Sequence, residues 1–320
     1  MDGVELQIAE FTIRSQPEEL FDGWLGGVVE RWGKYRSASG RMSEESARQA
    51  ATRITSKLLP EASQTDNQRI LQVLHGDNVV AVFWLEVKGM RGFLYDLVNH
   101  DPEFESELLP FIEEAARSFG ASELRLNVFS SDELLVRLAR DDAFVILNSQ
   151  MWMLDAVERL RPADVSTLVL RPMTTSEFPA YYEQEVILYA EAKVLAGKST
   201  PEAAMEESIR EVEKLLPNGL ESEGQYMFVA EINNVRVGTV WIEIDLEAEV
   251  PRAFGLDVEI AESLRGQGLG RAILLATLLE CRKLGARGLA LSVFGHNFVA
   301  RNLYTSLGFE VVEEMKKKNL

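Results

Sequence analysis

The chain has 320 residues, 46% of them hydrophobic and 26% charged, with 33 basic and 51 acidic side chains. That composition fits a folded chain of about two domains and excludes disordered, collagen-like and disulfide-stapled classes. The net charge of −18 opposes a phosphate backbone, so nucleic acid is not an expected partner; a cationic or amine-bearing partner fits better, although the preferred reading is that such a charge simply keeps the chain soluble.

In chain order, Phe11–Arg14 reads as a short strand, followed by a helical stretch. Ser43 before Glu44-Glu45 predicts a helix over 43–58, with acids favouring its first turn. Arg159-Leu160-Arg161-Pro162-Ala163-Asp164 is polar and proline-bearing, which suits a domain boundary. Leu168–Arg171 is the next strand, and Thr200-Pro201-Glu202 opens a helix over 200–216. Met227–Glu231 and Val235–Ile244 alternate as a hairpin around Asn233-Asn234. Gly255–Ile260 reads as a strand, and Leu269–Leu284 as an amphipathic helix stopped by Gly285. Leu289–Val293 is a strand, Asn297–Leu307 a helix and Phe309–Met315 the last strand. Strands joined by a helix in this way require a parallel pair.

The chain also repeats itself. A shift of 157 takes Arg14, Phe21, Trp84 and Glu86 to Arg171, Phe178, Trp241 and Glu243. It also takes Gly40 and Pro60 to Gly197 and Pro217. The shift then becomes 161, taking Asp96 to Asp257. Finally it becomes 165, taking Gly120-Ala121 to Gly285-Ala286 and Phe144 to Phe309. A constant shift broken by two four-residue insertions predicts a duplicated domain, with copies over 1–156 and 166–320. Trp84 and Trp241, at equivalent positions, read as core residues.

The second insertion places Arg265-Gly266-Gln267-Gly268-Leu269-Gly270-Arg271 between a strand and a helix start. Glycines permit positive φ and close backbone approach, successive amides form an anion nest, and the helix start adds its positive dipole end. The bland alternative is a tight strand-to-helix turn. No Gly-Lys-Ser/Thr follows, so this is not the nucleotide phosphate loop.

Arg265-x-x-Gly268-x-Gly270 after a strand resembles the acyl-CoA pyrophosphate loop of the GCN5-related N-acetyltransferase (GNAT) family. Asn297-x-x-Ala300-x-Asn302-Leu303-Tyr304-x-x-x-Gly308-Phe309 resembles the C-terminal motif of that family, and Val237-Gly238 also fits. The match covers 166–320, and the first copy resembles the same fold. The resemblance therefore implies an α/β (mixed α+β) chain of two tandem acyl-CoA N-acyltransferase folds. Each would be a mixed, largely antiparallel sheet flanked by helices.

The family's mechanism implies specific roles. Backbone groups of Val258 and Ile260 would pair with the pantetheine arm of acetyl-CoA. Amides of Gly266, Gln267, Gly268, Leu269, Gly270 and Arg271 would hold the pyrophosphate, with Arg265 and Arg271 adding charge. Asn297, Ala300 and Asn302 would lie along the cofactor, and Tyr304 would protonate the departing thiolate. Strand alternation puts Leu256 and Phe254 on the face of Val258 and Ile260, where neither takes a proton. Glu259 is the candidate general base, provided a bulge turns it inward. A water relay or an acid from the 181–191 helix is the alternative. Asp257, twinned with Asp96, reads as structural. Tyr181, Tyr182 and Tyr189, with Glu183 and Glu185, either receive an amine or form a solvated helix face, the bland reading being preferred.

The first copy departs from the pattern, with His100-Asp101-Pro102-Glu103-Phe104-Glu105 where the second has its loop. Asp132, Arg137, Ala139 and Ala143 replace Asn297, Asn302, Tyr304 and Gly308. The expectation is a degenerate domain over 1–156 and a catalytic one over 166–320 that transfers acetyl to a small cationic primary amine. A CoA-binding sensor without transfer is the competing function. Cys281 reads as a buried thiol, and His75, His100 and His296 have no metal-ligand spacing, so no metal is expected. No signal-like start or run of about 20 apolar residues is present, so no membrane partner and a cytoplasmic location are expected.

Overall fold

A computed structural model describes residues 5–60, 67–140, 142–154 and 168–320. The boundary expected at 159–164 lies outside the described residues. The chain divides into two compact units, Met1–Ile146 with Glu313–Leu320, and Leu147–Val312. These differ from the sequence copies at one strand each, because each unit takes one sheet strand from the other half of the sequence.

Unit one runs β1 (Glu5–Ile8), β2 (Phe11–Ser15), α1 (Phe21–Ser37), α2 (Glu44–Leu58), β3 (Gln68–His75), β4 (Asn78–Lys88) and β5 (Arg91–Asn99). It continues with α3 (Glu105–Ser118), β6 (Glu123–Phe129) and α4 (Glu133–Leu138). The half-chain then ends on β7 (Val145–Leu154), most of which belongs to unit two. Unit two holds β8 (Leu168–Pro172), α5 (Phe178–Leu195), α6 (Pro201–Leu215), β9 (Gln225–Ile232), β10 (Val235–Asp245) and β11 (Arg252–Ile260). Then come α7 (Leu269–Lys283), β12 (Gly288–Phe294) and α8 (Phe298–Leu307). β13 (Glu310–Asn319) closes the chain.

The sheet orders are β1-β2-β3-β4-β5-β6-β13 in unit one and β7-β12-β11-β10-β9-β8 in unit two. β13 lies antiparallel to β6, with Glu313 opposite Phe129, and β7 lies antiparallel to β12, with Leu154 opposite Gly288. The parallel pairs are β5 with β6 and β11 with β12, each joined by a helix. The fold is thus mixed α/β, with largely antiparallel sheets flanked by helices.

Local chemistry explains the elements. The Ser43 side chain accepts from the Ser46 amide at 3.3 Å and caps α2, as Thr200 caps α6 through Ala203. Asn233 and Asn234 take φ of 52° and 63° at the β9–β10 turn, where a tight hairpin needs left-handed residues. Trp84 and Trp241 are both fully buried, and each indole donates to the equivalent glutamine: Trp84 to Gln68 at 3.2 Å, Trp241 to Gln225 at 2.7 Å. The shared bond gives a polar indole its partner inside a core and bears out the core reading.

In unit two, one sheet face packs α7 through Ile273, Leu278 and Cys281 with Val240, Val258 and Ile260. The Cys281 thiol is buried, and burial pushes it up to about 12, which suppresses the nucleophilic thiolate. The other face packs α5 and α6 through Tyr181, Val186 and Val212 with Trp241 and Leu256. A register shift explains Leu256. Trp241 faces Asp257, Ile242 faces Gly255, and Leu256 is the extra residue of a β-bulge. Simple alternation is therefore overturned: Leu256 lies on the α5 face, and Phe254 packs with Trp152 and Ala290 instead of with Val258. Unit one carries the same bulge, with Tyr95 as the extra residue between Leu94 and Asp96.

Candidate active site

β11 and β12 pair from Arg252–Gly288 to Gly255–Leu291, and the pairing then stops. Past the bulge, β11 remains tied to β10 alone. The Ala261 amide donates to Val237, so by alternation Glu259 and Asp257 bond toward β10. Val258 and Ile260 then direct their backbone groups the other way, where no strand pairs with them among the described residues. The Ile260 carbonyl accepts from Arg265 Nε at 3.2 Å. The remaining groups form a short edge onto which an extended, amide-bearing ligand can add.

The edge runs into the glycine loop. Gly266 and Gly268 have φ of 77° and 80°, which L side chains rarely adopt, and Gly268 caps α7. Arg265, Gly266, Gln267 and Gly268 are exposed beside the α7 dipole. The Arg265 amide already donates to the Glu262 carbonyl at 3.3 Å and the Arg271 amide to that of Gly268 at 3.1 Å, so these two residues offer their charged side chains instead. Gly270 serves packing, because a side chain there would meet Ile260 and Leu303 at 3.1 Å. Arg271 lies exposed on the first turn, its Nη1 3.4 Å from the Ser306 hydroxyl.

Unit one shows the contrast. There Asp101 accepts from the Glu103 amide at 3.1 Å ahead of α3. Glu105 accepts two bonds from Arg137, at 2.6 and 2.9 Å. Carboxylates therefore stand where an incoming anion would bind.

Around α8, Tyr304 packs half-buried against Phe309, ring centroids 5.6 Å apart. Burial, assisted by the charge of Asp257, pushes its phenol up to about 12, so it keeps its proton at neutral pH. Asn297 caps α8, its side-chain oxygen accepting from the Ala300 amide at 3.1 Å. That bond engages two of the three residues expected along the cofactor, and Asn302 is exposed on the helix.

On the α5 face, Tyr181 donates to Asp257 at 3.3 Å, and Gln184 donates to both Glu259 oxygens at 2.8 and 3.0 Å. Arg265 stands 4.0 Å from Glu259. Tyr181 is buried, which overturns the solvated-face reading for that residue. Burial and the charges of Asp257 and Glu259 raise the Glu185 carboxyl far above the usual range. Burial and Glu259 likewise raise Asp257. Asp257 as a whole residue is half-buried. Sequence reasoning placed Glu259 on this side and read Asp257 as structural; comparing the copies at Val28 and Glu185 would have exposed the second acid.

The sequence profile described as the Acetyltransferase (GNAT) family matches residues 189–309. The chain is 37% identical over 155 residues to the uncharacterized N-acetyltransferase YycN of Bacillus subtilis (strain 168), covering 48% of this chain and 99% of that one. The chain belongs to the GNAT family. It is also 32% identical over 152 residues to YdgE of the same organism, another uncharacterized N-acetyltransferase, covering 47% and 97% of the two chains. A crystal structure of a GCN5-related N-acetyltransferase from Sphaerobacter thermophilus aligns with 98% of this chain and 97% of its own, at 16% identity and a TM-score of 0.49. The family profile and the two Bacillus subtilis relatives make this GNAT protein an acyltransferase. Among its described residues no helix is long and apolar enough to cross a membrane, and no group of acids, histidines and cysteines could hold a metal ion.

Proposed function

We propose that unit two transfers an acetyl group from acetyl-CoA to the primary amine of a small cationic acceptor, and that the first copy is degenerate. The observation that carries this reading is the opening of β11 from β12 directly ahead of the glycine loop. Val258 and Ile260 offer backbone groups to an amide-bearing arm. Gly266 through Gly270 offer amides and a helix dipole to a pyrophosphate, and Arg265 and Arg271 add charge. Bound there, acetyl-CoA supplies an activated thioester carbonyl. Tyr304 holds the proton that the thiolate needs, and the acids on the α5 face attract an ammonium ion and take its proton.

The carboxylates of Asp101, Glu103 and Glu105 ahead of and at the start of α3 in unit one support a single working site. Calorimetric titration should find one acetyl-CoA site per chain, and two sites or none would overturn the reading. Tyr304→Phe should lower kcat by about 100-fold while leaving acetyl-CoA affinity within twofold. Binding without thiol release across a panel of amines would identify a sensor instead.

A further inference from the structure

The duplication supplies an internal comparison for the α5 face. The shift of 157 pairs Trp24 with Tyr181, Val28 with Glu185, Arg31 with Leu188 and Val82 with Thr239. In unit one, Asp96 is buried and held by Arg31 through bonds of 3.2 and 2.6 Å. Val28 lies wholly inside the core with Trp24, Val82 and Trp84. Position 28 on this helix therefore faces the sheet.

In unit two the acid is kept as Asp257, but its cation is gone, replaced by Leu188. A second acid, Glu185, stands at the inward position. Two hydrogen bonds fix α5 over β11: Tyr181, one turn before Glu185, bonds Asp257, and Gln184, its neighbour, bonds Glu259. Residues i and i+4 share a helix stripe, so Glu185 follows Tyr181 onto β11. Thr239, directly opposite Glu259 on β10, is wholly buried, and its hydroxyl has no hydrogen-bond partner among the described residues. Hydrogen-bonding capacity is thus left unused beside the acids, where unit one has valine.

We propose that Glu185 and Asp257 share one proton and together form the group that takes the proton of the acceptor ammonium ion, resting on the acetyltransferase reading above. The doubly ionised pair removes a proton from the ammonium nitrogen and shares it between the two carboxylates. The freed lone pair forms the N–C bond to the thioester carbonyl carbon, and the C–S bond breaks with its electrons on sulfur. Tyr304 passes its proton to that sulfur and regains one from the acylated nitrogen, leaving amide, thiol and one proton on the pair for solvent.

Glu259 is held by Gln184 and Arg265 and sets the local field. Tyr181, Tyr189 and Tyr304 complete the titratable groups around the pair, with Lys193 and Glu211 bonded to each other beyond Tyr189. Two acids close together cannot both ionise easily, which places proton uptake near neutral pH, where a general base works best.

The test uses the full chain as wild type, Glu185→Gln and Glu185→Val, the last reproducing the residue of unit one. Infrared difference titration from pH 5 to 9 should show a carboxylic-acid band persisting at pH 7 in wild type and lost in both variants. An unchanged band would overturn the proposal. With putrescine as the probe amine, Glu185→Gln should lower kcat at pH 8 at least about 10-fold, with acetyl-CoA affinity unchanged and the acid limb of the rate profile moved to lower pH. Turnover within twofold of wild type and an unmoved limb would also overturn it. If wild type neither binds nor turns over acetyl-CoA, the acetyltransferase reading fails, while the infrared titration still decides the shared proton.

Discussion

Arg31→Leu installs in unit one the residue that unit two carries at position 188, and it tests whether the acid on this face needs a cation to be tolerated. Asp96 has 3% of its side chain exposed and Arg31 29%. A pair at about 4 Å in an effective dielectric of about 20 is worth about 4 kcal/mol, and removing one partner of a buried pair costs about 3–5 kcal/mol. Partial exposure of Arg31 screens the pair, so the expected loss at pH 8 is about 3 kcal/mol.

Burial already raises Asp96 against the opposing pull of Arg31, and the variant leaves burial unopposed. The folded chain then holds a proton that the unfolded chain has released. Stability therefore falls as pH rises between the unfolded and folded values, by up to about 1.4 kcal/mol per pH unit. The loss at pH 5 should be less than about half of that at pH 8, because the carboxyl is protonated. Urea unfolding read by tryptophan emission suits the question, since Trp24, Trp32 and Trp84 pack together beside the pair. Equal losses at pH 5 and pH 8 would refute the reasoning, as would failure of Asp96→Asn to restore stability in the Arg31→Leu background.

Gly238→Ala should destabilise unit two by at least about 1–3 kcal/mol in a thermal melt, because its Cβ would press into the Glu259 carbonyl oxygen between β10 and β11. Gly268→Val should weaken acetyl-CoA binding in calorimetry more than it lowers the melting temperature. Open space surrounds that position, so the penalty is the φ of 80° in the loop that carries the amides.

The parts legible in the sequence are those that constrain the backbone. Gly266 and Gly268 stand where positive φ is required, and the turn residues Asn233 and Asn234 mark the hairpin directly. The acid pair was harder to see. The extra residue Leu256 puts consecutive residues of β11 on one face, which defeats the period of two on which the strand reading relied. The strand exchange between halves was also hidden, since nothing in the residues of β7 and β13 specifies which neighbouring strand they pair with.

Duplication offers a sharper criterion than a family motif, because only one of the two copies carries the glycine loop. Asn297 shows the difference. It belongs to a motif associated with the cofactor, yet its side-chain oxygen caps α8, and Asp132 caps α4 through the Leu135 amide at 3.1 Å in the copy without the loop. A cap present in both copies is a requirement of the fold, so a cap-keeping change, Asn297→Asp, should preserve stability. The opposite holds at Glu185 and Leu188, where the copies diverge and a satisfied ion pair becomes two acids. Burying a second carboxylate beside Asp257 costs stability, and the fold needs no such group, as Val28 demonstrates. Its presence on the sheet face that also holds Asp257 and Glu259 is therefore an argument for chemistry, independent of any motif.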